Sequence, residues 1–279
     1  MLAMVGKERR LSRLINPATG HGFCIAFDHA LQLGPLPGLR HPEESLQCMT
    51  EAGVDAVILP LGSALRFGKT LAHRRGPALI LRLDQTTMWR EGTPLDYPDG
   101  HTRLVASVED AVALGAEAVI TYLFVAPNDP ALETRSFEDN AKVNAAAHKY
   151  GILHIIETMG ARHALAKDVF DPEFVAFHAR IGVEMGADIV KTDWPGNAEG
   201  LRPVTLSSPV PVLIAGGHSQ GTDLGVLELV AEVMAGGAAG ILFGRQVFQA
   251  KNPLAVMKAC RLIIHEGMSA AQAAQVVKL

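Results

Sequence analysis

The chain contains eight short apolar runs, and a segment with the spacing of an amphipathic helix separates each run from the next. Apolar residues follow one another without alternation inside each run, which is typical of parallel strands buried on both faces. Eight strand–helix units in about 250 residues predict an α/β protein with the (β/α)8 or TIM-barrel fold. The predicted strands are Phe23–Phe27, Ala56–Leu59, Ala78–Leu83, Ala118–Val125, Leu153–Ile156, Asp188–Val190, Pro211–Ala215 and Gly240–Phe243.

A doubly wound open sheet is the competing fold for such an alternation. It usually carries a glycine-rich fingerprint after its first strand, and the segment FDHALQLGP is not one. No linker or shift in composition divides the chain, so we expect a single barrel domain over residues 1–279. The least regular stretch is Gln85–Arg103, which is long for a loop inside a compact domain and indicates a functional loop or a subunit contact.

Several helices have clear start signals. Ser107, followed by an acid three residues later, is close to a capping box, and Asp171 precedes a proline that favours the first helical turn. Thr222 or Asp223 opens the helix before the last strand. The segment Ser269–Val277 reads as a short additional helix at the end of the chain.

Composition excludes several classes of function. The 25 basic and 29 acidic residues give a net charge of -4 without basic blocks, so there is no electrostatic case for binding nucleic acid or an anionic membrane. Cys24, Cys48 and Cys260 form no CxxC pair, which favours buried or half-buried thiols over a zinc site or a disulfide framework. Charges near the N-terminus and the lack of an apolar run of ~20 residues predict a cytoplasmic protein.

Functional residues of such barrels lie where the strands end and in the loops that follow. The first predicted strand is followed by Asp28 and His29. Two ionisable residues directly after a buried run are unfavourable unless they are paired or used. They are either a general acid/base pair or partners of a lysine in the barrel mouth; the alternative is a solvated turn carboxylate and a helix-capping histidine.

Lys191 is the one lysine at the end of a predicted strand. A lysine inside a barrel loses hydration, which favours the neutral amine that attacks a ketone or aldehyde to form a Schiff base. The alternative is a structural lysine paired with Asp28 or Glu157. Glu157, after the fifth strand, either accepts a proton or holds Lys191 in place. Asp84 and Tyr122 also reach the mouth, where a structural role is the commoner one.

Glycines follow the seventh and eighth predicted strands. Gly216 and Gly217 follow one, and Gly244 and Arg245 follow the other. Glycine lets backbone N–H groups approach a ligand, and an arginine adds a charge-assisted contact, so this pattern indicates a phosphate-binding site. No two histidines share metal-ligand spacing on one element, although His29 and His218 both fall at strand ends.

The segments IAFDHALQLGP, DIVKTDWPG and PVLIAGGHSQGTDLGVLELVAEVMAGGAAGILFGRQVFQAKNP, in this order, resemble the archaeal-type class I fructose-bisphosphate aldolase family. That family also contains the amino-deoxy-heptanoate phosphate synthases and the thiolase that processes phosphorylated autoinducer. The resemblance extends over roughly residues 10–267 and is most specific in the last third of the chain.

The resemblance implies a TIM barrel in which Lys191 forms a Schiff base with a phosphorylated ketone. By position, the family's acid and histidine after the first strand match Asp28 and His29. Its phosphate loops match Gly216, Gly217, Gly244 and Arg245. Members of the family are commonly large homo-oligomers, often decamers, so the resemblance implies a homo-oligomer.

The sequence departs from the family at its general acid/base. Aldolases of the family typically carry a tyrosine in a Tyr-Pro-Arg-Gly type sequence after the fifth strand, whereas Glu157–Arg162 here contains neither tyrosine nor proline. Trp194 stands where a tyrosine is usual. The thiolase branch also lacks the phenol and relies on the histidine after the first strand. His29 or Glu157 is therefore expected to replace it.

Our hypothesis is a metal-independent class I aldolase without a cofactor, acting on a phosphorylated ketone and an aldehyde. In this hypothesis Asp28 and His29, together with Glu157, move protons around the Lys191 imine. Three alternatives stay open: a thiolase-like acyl transfer on the same lysine, a metal-dependent aldolase or isomerase using His29 and His218, and a sugar-phosphate-binding barrel without catalysis.

Overall fold

Eight parallel strands close into a barrel in the order β1-β10-β9-β8-β7-β6-β3-β2, so neighbours in the chain are neighbours in the barrel. The computed structural model describes residues 2–90, 93–97, 100–161, 168–217 and 220–279. The strands are β1 Gly22–Ala26, β2 Ala56–Pro60, β3 Ala78–Arg82, β4 Asp84–Thr86, β5 Thr102–Leu104, β6 Ala118–Val125, β7 Leu153–Gly160, β8 Ile189–Thr192, β9 Val212–Ala215 and β10 Gly240–Phe243. The predicted (β/α)8 fold is confirmed.

Helices connect the strands and surround them. They are α1 Leu2–Leu14, α2 Ala30–Leu33, α3 Pro42–Ala52, α4 Leu61–Phe67, α5 Val108–Ala113, α6 Pro130–Tyr150, α7 Pro172–Glu184, α8 Ala198–Leu206, α9 Asp223–Ala235, α10 Arg245–Phe248, α11 Pro253–Glu266 and α12 Ala270–Val277, with a 3-10 turn at Gly68–Leu71. Among the described residues, no helix combines the length and the apolar character that a bilayer crossing requires.

Alternate residues of each barrel strand point to opposite sides, as the strand period of two requires. One set packs inside the barrel and includes Cys24, Ala56, Ile80, Ile155 and Ile189. The other set packs between the barrel and the helices, where the larger apolar cluster lies. This alternation decides which side chains reach the inside of the barrel mouth, the end at which the carboxyl ends of the strands meet.

The opposite end of the barrel is closed by the end of α1, which the sequence did not predict. Leu14 and Ile15 pack with the inward residues at the starts of the strands, and Leu14 has no exposed surface. Lys7 of α1 binds Asp188 just before β8, with 2.7 Å between Nζ and Oδ2. The pairing of β1 with β10 closes the barrel beside this end. At Gly240, φ is +140° and a Cβ would collide with the Gly22 carbonyl, so this pairing requires glycine.

The helix starts agree with the sequence analysis. Ser107 forms a full capping box with Asp110, Asp171 caps α7, Thr222 caps α9, and Ser269 caps the short helix at the end of the chain. The three cysteines are free thiols; Cys24 and Cys260 are buried and Cys48 is half-buried.

Several predicted boundaries differ from the structure. The sixth barrel strand was expected over Asp188–Val190, but β8 is Ile189–Thr192, so Lys191 lies within the strand. The fifth barrel strand was expected to end at Ile156, but β7 continues to Gly160, because its neighbour β6 pairs with it from Ala118 to Val125. The stretch Gln85–Arg103 was expected to be irregular, but its ends pair as the antiparallel strands β4 and β5, so a hairpin base fixes its position at the mouth.

Candidate active site

Along several barrel strands, the inward-facing residues are apolar in the first part of the strand and charged at its carboxyl end, near the mouth. The pattern Ala78, Ile80, Arg82 on β3 shows the change, and the pattern Ile189, Lys191 on β8 shows it again. Asp28 and Glu157 occupy the corresponding positions after β1 and on β7. All four are buried. The strand period and the closed barrel thus bring together residues that are far apart in the chain.

Lys191 and Glu157 are neighbours on adjacent strands. They are paired in the β7–β8 register, and Lys191 Nζ lies 2.5 Å from Glu157 Oε1. Lys191 is 5% exposed and Glu157 is 4% exposed, so the ion pair is shielded from water. The structure therefore brings Lys191 and Glu157 together as the sequence analysis allowed, with Glu157 in contact with the amine.

Arg82 organises the carboxylates and was missed by the sequence analysis. Its Nε lies 2.8 Å from Asp28 Oδ2, its Nη1 lies 3.2 Å from Asp84 Oδ1, and its Nη2 donates to Glu157 Oε2. Its guanidinium also lies over the ring of Tyr122, 3.9 Å from the ring centre. We call Arg82 with Asp28, Asp84 and Glu157 the Arg82 cluster. An arginine inside the otherwise apolar run Ala78–Leu83 was the signal that could have identified it.

The Arg82 cluster keeps two of its carboxylates ionised. Burial opposes ionisation of Asp28, but Arg82 and Lys191 outweigh it and hold the pKa of Asp28 below its ordinary value. Glu157 behaves alike, since Lys191 and Arg82 overcome its burial and lower its pKa. Asp84 differs: burial raises its pKa to about 6 in spite of Arg82 and of the Tyr122 backbone N–H, which donates to it at 2.6 Å.

His29 lies beside the cluster without being bound to it. Its Nδ1 is 3.7 Å from Asp28 Oδ1, beyond hydrogen-bonding distance, and its ring packs edge-on against Phe248 with 5.6 Å between centres. Burial lowers the pKa of His29, although Asp28 opposes this shift. A Cβ at Gly244 would collide with the imidazole, so Gly244 permits the close approach of its loop to His29.

Asp193 is the second residue that the sequence analysis missed. It follows Lys191 by two positions and is 3% exposed. Burial raises its pKa to about 7, Glu157 adds to this shift, and Lys191 opposes it. A carboxyl two residues after an inward lysine was the sequence signal for it, because alternate residues of an extended chain lie on the same side.

The four predicted phosphate-loop residues meet on one side of the mouth. The strands β9 and β10 are paired, so the loops that follow them are neighbours. Gln246 Nε2 donates to the Gly216 carbonyl and joins the two loops. Gly217 adopts a left-handed φ of +61°, and Arg245 is exposed. Small residues, an arginine and the first turn of α10 therefore share one edge of the mouth.

Part of the predicted mouth lies outside the described residues, namely His218, Ser219 and Arg162. Within the described ranges, no group of three His, Cys, Asp or Glu side chains is arranged as a set of metal ligands. The described part of the mouth holds an amine next to carboxylates, with an adjacent edge suited to an anion.

Comparison with known proteins finds an aldolase and a thiolase among the similar chains. The chain is 31% identical to an uncharacterized aldolase of Saccharolobus solfataricus, over 99% of this chain and 100% of that protein. It is 31% identical to the 3-hydroxy-5-phosphonooxypentane-2,4-dione thiolase of an Enterobacter species, over 97% of this chain and 85% of the thiolase.

Solved structures show that the similarity extends to the fold. An archaeal fructose-1,6-bisphosphate aldolase, with its catalytic lysine covalently bound to the carbinolamine intermediate of its substrate, superposes with a TM-score of 0.81 at 27% identity. The match covers 93% of this chain and 99% of that one. Residues 23–250 match the description of the DeoC/LacD family aldolases. The chain belongs to the DeoC/LacD aldolase family.

Proposed function

We propose that the protein is a Schiff-base-forming class I aldolase that cleaves or forms a carbon–carbon bond in a phosphorylated keto-sugar or a related ketone phosphate. The observation that carries the proposal is the buried lysine on an inward position of β8, with Nζ 2.5 Å from Glu157 Oε1. The covalently bound lysine of the solved archaeal aldolase supports the same chemistry.

Lys191 is the nucleophile in this proposal. Its ion pair with Glu157 marks the resting state, and Glu157 is the nearest acceptor for the proton that the amine must lose before it attacks. The neutral amine adds to the ketone carbon, and the carbonyl oxygen takes up a proton to give a carbinolamine. Loss of water then gives an iminium, which accepts the electron pair of the adjacent carbon–carbon bond when that bond breaks.

Asp28 and His29 act beside the lysine in different ways in this proposal. Asp28 stays a carboxylate because Arg82 holds it, and it stabilises the positive iminium nearby. His29, with its lowered pKa, is a neutral imidazole close to neutral pH and can accept or donate a proton at the carbinolamine stage. Arg82 is a positioning residue that fixes Asp28 and Glu157.

Gly216, Gly217, Gly244 and Arg245 bind the substrate phosphate in this proposal. The support is their shared edge of the mouth, where glycines that allow close backbone approach and the Arg245 guanidinium favour an anion. Anchoring the phosphate there would hold the ketone carbon above the lysine and supply the orientation that such a reaction requires.

We further propose that the reaction is metal-independent, because the iminium supplies the electron sink that a metal would otherwise provide. Dialysis against a chelator should then leave turnover unchanged, and loss of turnover restored by a divalent cation would contradict it. A homo-oligomeric, cytoplasmic enzyme belongs to the same proposal, and light scattering of the purified protein tests the assembly.

Borohydride trapping tests the proposal. The protein is incubated with dihydroxyacetone phosphate and other phosphorylated ketones, reduced, weighed intact by mass spectrometry and digested to map the modified peptide. We expect one reduced adduct on Lys191, none in Lys191→Met, and an unchanged adduct in Lys258→Met, whose lysine pairs with Glu51 far from the mouth. Absence of an adduct with every ketone tested would refute the Schiff-base reaction.

A thiolase-like acyl transfer is the second candidate, favoured by the thiolase among the relatives. It would use the same imine at Lys191 and pass an acyl group to a thiol acceptor. Product formation from a phosphorylated diketone that depends on coenzyme A would distinguish it from the aldolase, which needs no thiol.

A further inference from the structure

Four acidic side chains are buried in the part of the chain that the structure describes: Asp28, Asp84, Glu157 and Asp193. Arg82 binds the first three directly, and Lys191 binds Glu157 as well. No hydrogen bond or ion pair from the described residues holds the Asp193 carboxyl. The mouth therefore contains three carboxyls engaged by the guanidinium and one that is not.

Asp193 lies near the reacting lysine, because burial and Glu157 raise the pKa of its carboxyl and Lys191 lowers it. The strand β8 ends at Thr192. Ile189 and Lys191 are inward positions of β8, and Asp193 is the next residue in that alternating series. Thr192, between them, points outward, where its Oγ1 contacts the Thr158 hydroxyl at 3.2 Å. Two residues of extended chain advance by about 6.6 Å, so Asp193 follows Lys191 toward the mouth, where the carboxyl ends of the strands meet.

Its protonation suits acid/base work better than that of its neighbours. Asp28 and Glu157 have lowered pKa values because cations surround them, so neither is a proton donor at neutral pH. Asp84 has a raised pKa of about 6, but Arg82 binds one of its oxygens and the Tyr122 backbone N–H binds the other. Burial raises the pKa of Asp193 to about 7, so both of its protonation states are populated there. A group that titrates near the working pH is the most effective general acid/base.

We infer that Asp193 is the catalytic carboxyl that moves the proton between the α-carbon of the Lys191 imine and the reacting hydroxyl oxygen. The inference rests on the proposed aldolase function and assigns to Asp193 the step for which the sequence analysis considered His29 or Glu157. Those two groups retain the earlier transfers at the amine and the carbinolamine.

The proposed step conserves protons and electrons. In the direction of synthesis, the Asp193 carboxylate takes a proton from the carbon next to the iminium, and the C–H electron pair forms the enamine double bond. The enamine carbon attacks the aldehyde carbon, which forms the new carbon–carbon bond, restores the iminium and leaves the aldehyde oxygen negative. That oxygen takes the proton back from Asp193, and water then releases the product from Lys191. Cleavage is the same sequence reversed.

The experiment separates imine formation from proton transfer with one probe, dihydroxyacetone phosphate. Borohydride trapping reports the imine, and exchange of the hydroxymethyl proton with deuterated water, followed by NMR, reports the transfer. We expect Asp193→Asn to form the Lys191 adduct as wild type does and to lose exchange about 10²–10⁴-fold, the usual contribution of a general acid/base. Asp129→Asn is the matched control, because asparagine caps α6 as well as aspartate does.

The pH profile gives a second readout that a structural role would not move. Exchange by wild type should rise through a pKa near 7 as Asp193 ionises, and this limb should vanish in Asp193→Asn. Asp193→Glu, which keeps a displaced carboxyl, should recover exchange at least tenfold over Asp193→Asn.

The outcomes are distinct. Exchange in Asp193→Asn within threefold of wild type would overturn the inference and leave the aldolase proposal intact. Loss of the adduct in a folded Asp193→Asn would also overturn it, because Asp193 would then act before the imine forms. Absence of any adduct in wild type would instead refute the aldolase proposal on which the inference rests.

Discussion

At the scale of single residues, the buried guanidinium of Arg82 allows three carboxylates to be buried together at the barrel mouth. Three carboxylates would repel one another inside a barrel, and each would be costly to bury unpaired. Arg82 offers a planar fork with donors in several directions, which a lysine cannot match. The guanidinium also lies over the ring of Tyr122, and this contact holds the plane of the guanidinium. The catalytic proposals for Lys191 and Asp193 depend on this arrangement.

Replacing Arg82 by methionine should destabilise the protein by about 3–5 kcal/mol at pH 7, because buried charges lose their partner. In wild type the lowered pKa values of Asp28 and Glu157 add stability above their ordinary pKa near 4, and this contribution is lost as the pH falls. Without Arg82, Asp28 and Asp84 lose the guanidinium that opposes their burial, so they resist ionisation and the variant loses stability as the pH rises. The deficit should therefore shrink between pH 7 and pH 4.5.

Urea unfolding followed by circular dichroism at both pH values measures this difference. Arg66→Met, at an exposed position of α4, is the control and should change the free energy of unfolding little. An equal deficit for Arg82→Met at pH 7 and pH 4.5 would show that the loss is one of packing and not of charge pairing.

At the scale of elements, short-range hydrogen bonds set where helices begin. The Ser107 hydroxyl accepts the Asp110 N–H at 3.1 Å, and Asp110 Oδ2 accepts the Ser107 N–H at 2.9 Å. Both partners lie within four residues, which is why the sequence predicted this start. The end of strand β7 is set by a distant partner instead. The polar residues Glu157 and Thr158 look like the end of a strand in the sequence, but pairing with β6 extends β7 to Gly160.

Ser107→Ala should reduce the free energy of unfolding by about 1 kcal/mol, because the N-terminal N–H groups of α5 lose their acceptor. Ser12→Ala is the control, since Ser12 is exposed within α1 and alanine is the better helix former. The midpoint of urea unfolding measures both. A loss for Ser12→Ala as large as that for Ser107→Ala would contradict the capping explanation.

At the scale of the whole molecule, the barrel is open at one end for chemistry and closed at the other. The mouth carries charges and the loops that follow β9 and β10, whereas the opposite end is filled by Leu14 and Ile15 from α1. This closure excludes water from beneath the ion pair of Lys191 and Glu157, and a low local dielectric strengthens that pair.

Leu14→Ala should lower the free energy of unfolding by about 2–5 kcal/mol, because it removes apolar contact and leaves a cavity at the closed end. Leu2→Ala, at a residue that is 91% exposed, should change it by less than about 0.5 kcal/mol.

Circular dichroism and tryptophan fluorescence should report one coincident transition, as expected if residues 1–279 fold as one domain. Two separated transitions would contradict that expectation, and a small loss for Leu14→Ala would contradict the closure.

The sequence alone determined the features that ten to fifteen neighbouring residues encode. These are the eight buried strands, the helix caps at Ser107 and Thr222, and the inward lysine at position 191, because local periodicity and local hydrogen bonds decide them. Its resemblance to known aldolases extended that information to the family.

The tertiary structure alone decided the partners. Arg82 meets Asp28 across 54 positions of sequence and Glu157 across 75, which only closure of the barrel brings about. Among the residues that the structure describes, the same closure left Asp193 as the one buried carboxyl that Arg82 does not bind. It also filled the far end with Leu14. Electrostatic environment depends on what lies within a few ångströms, and this distance is set by how strands pair and not by where residues stand in the chain.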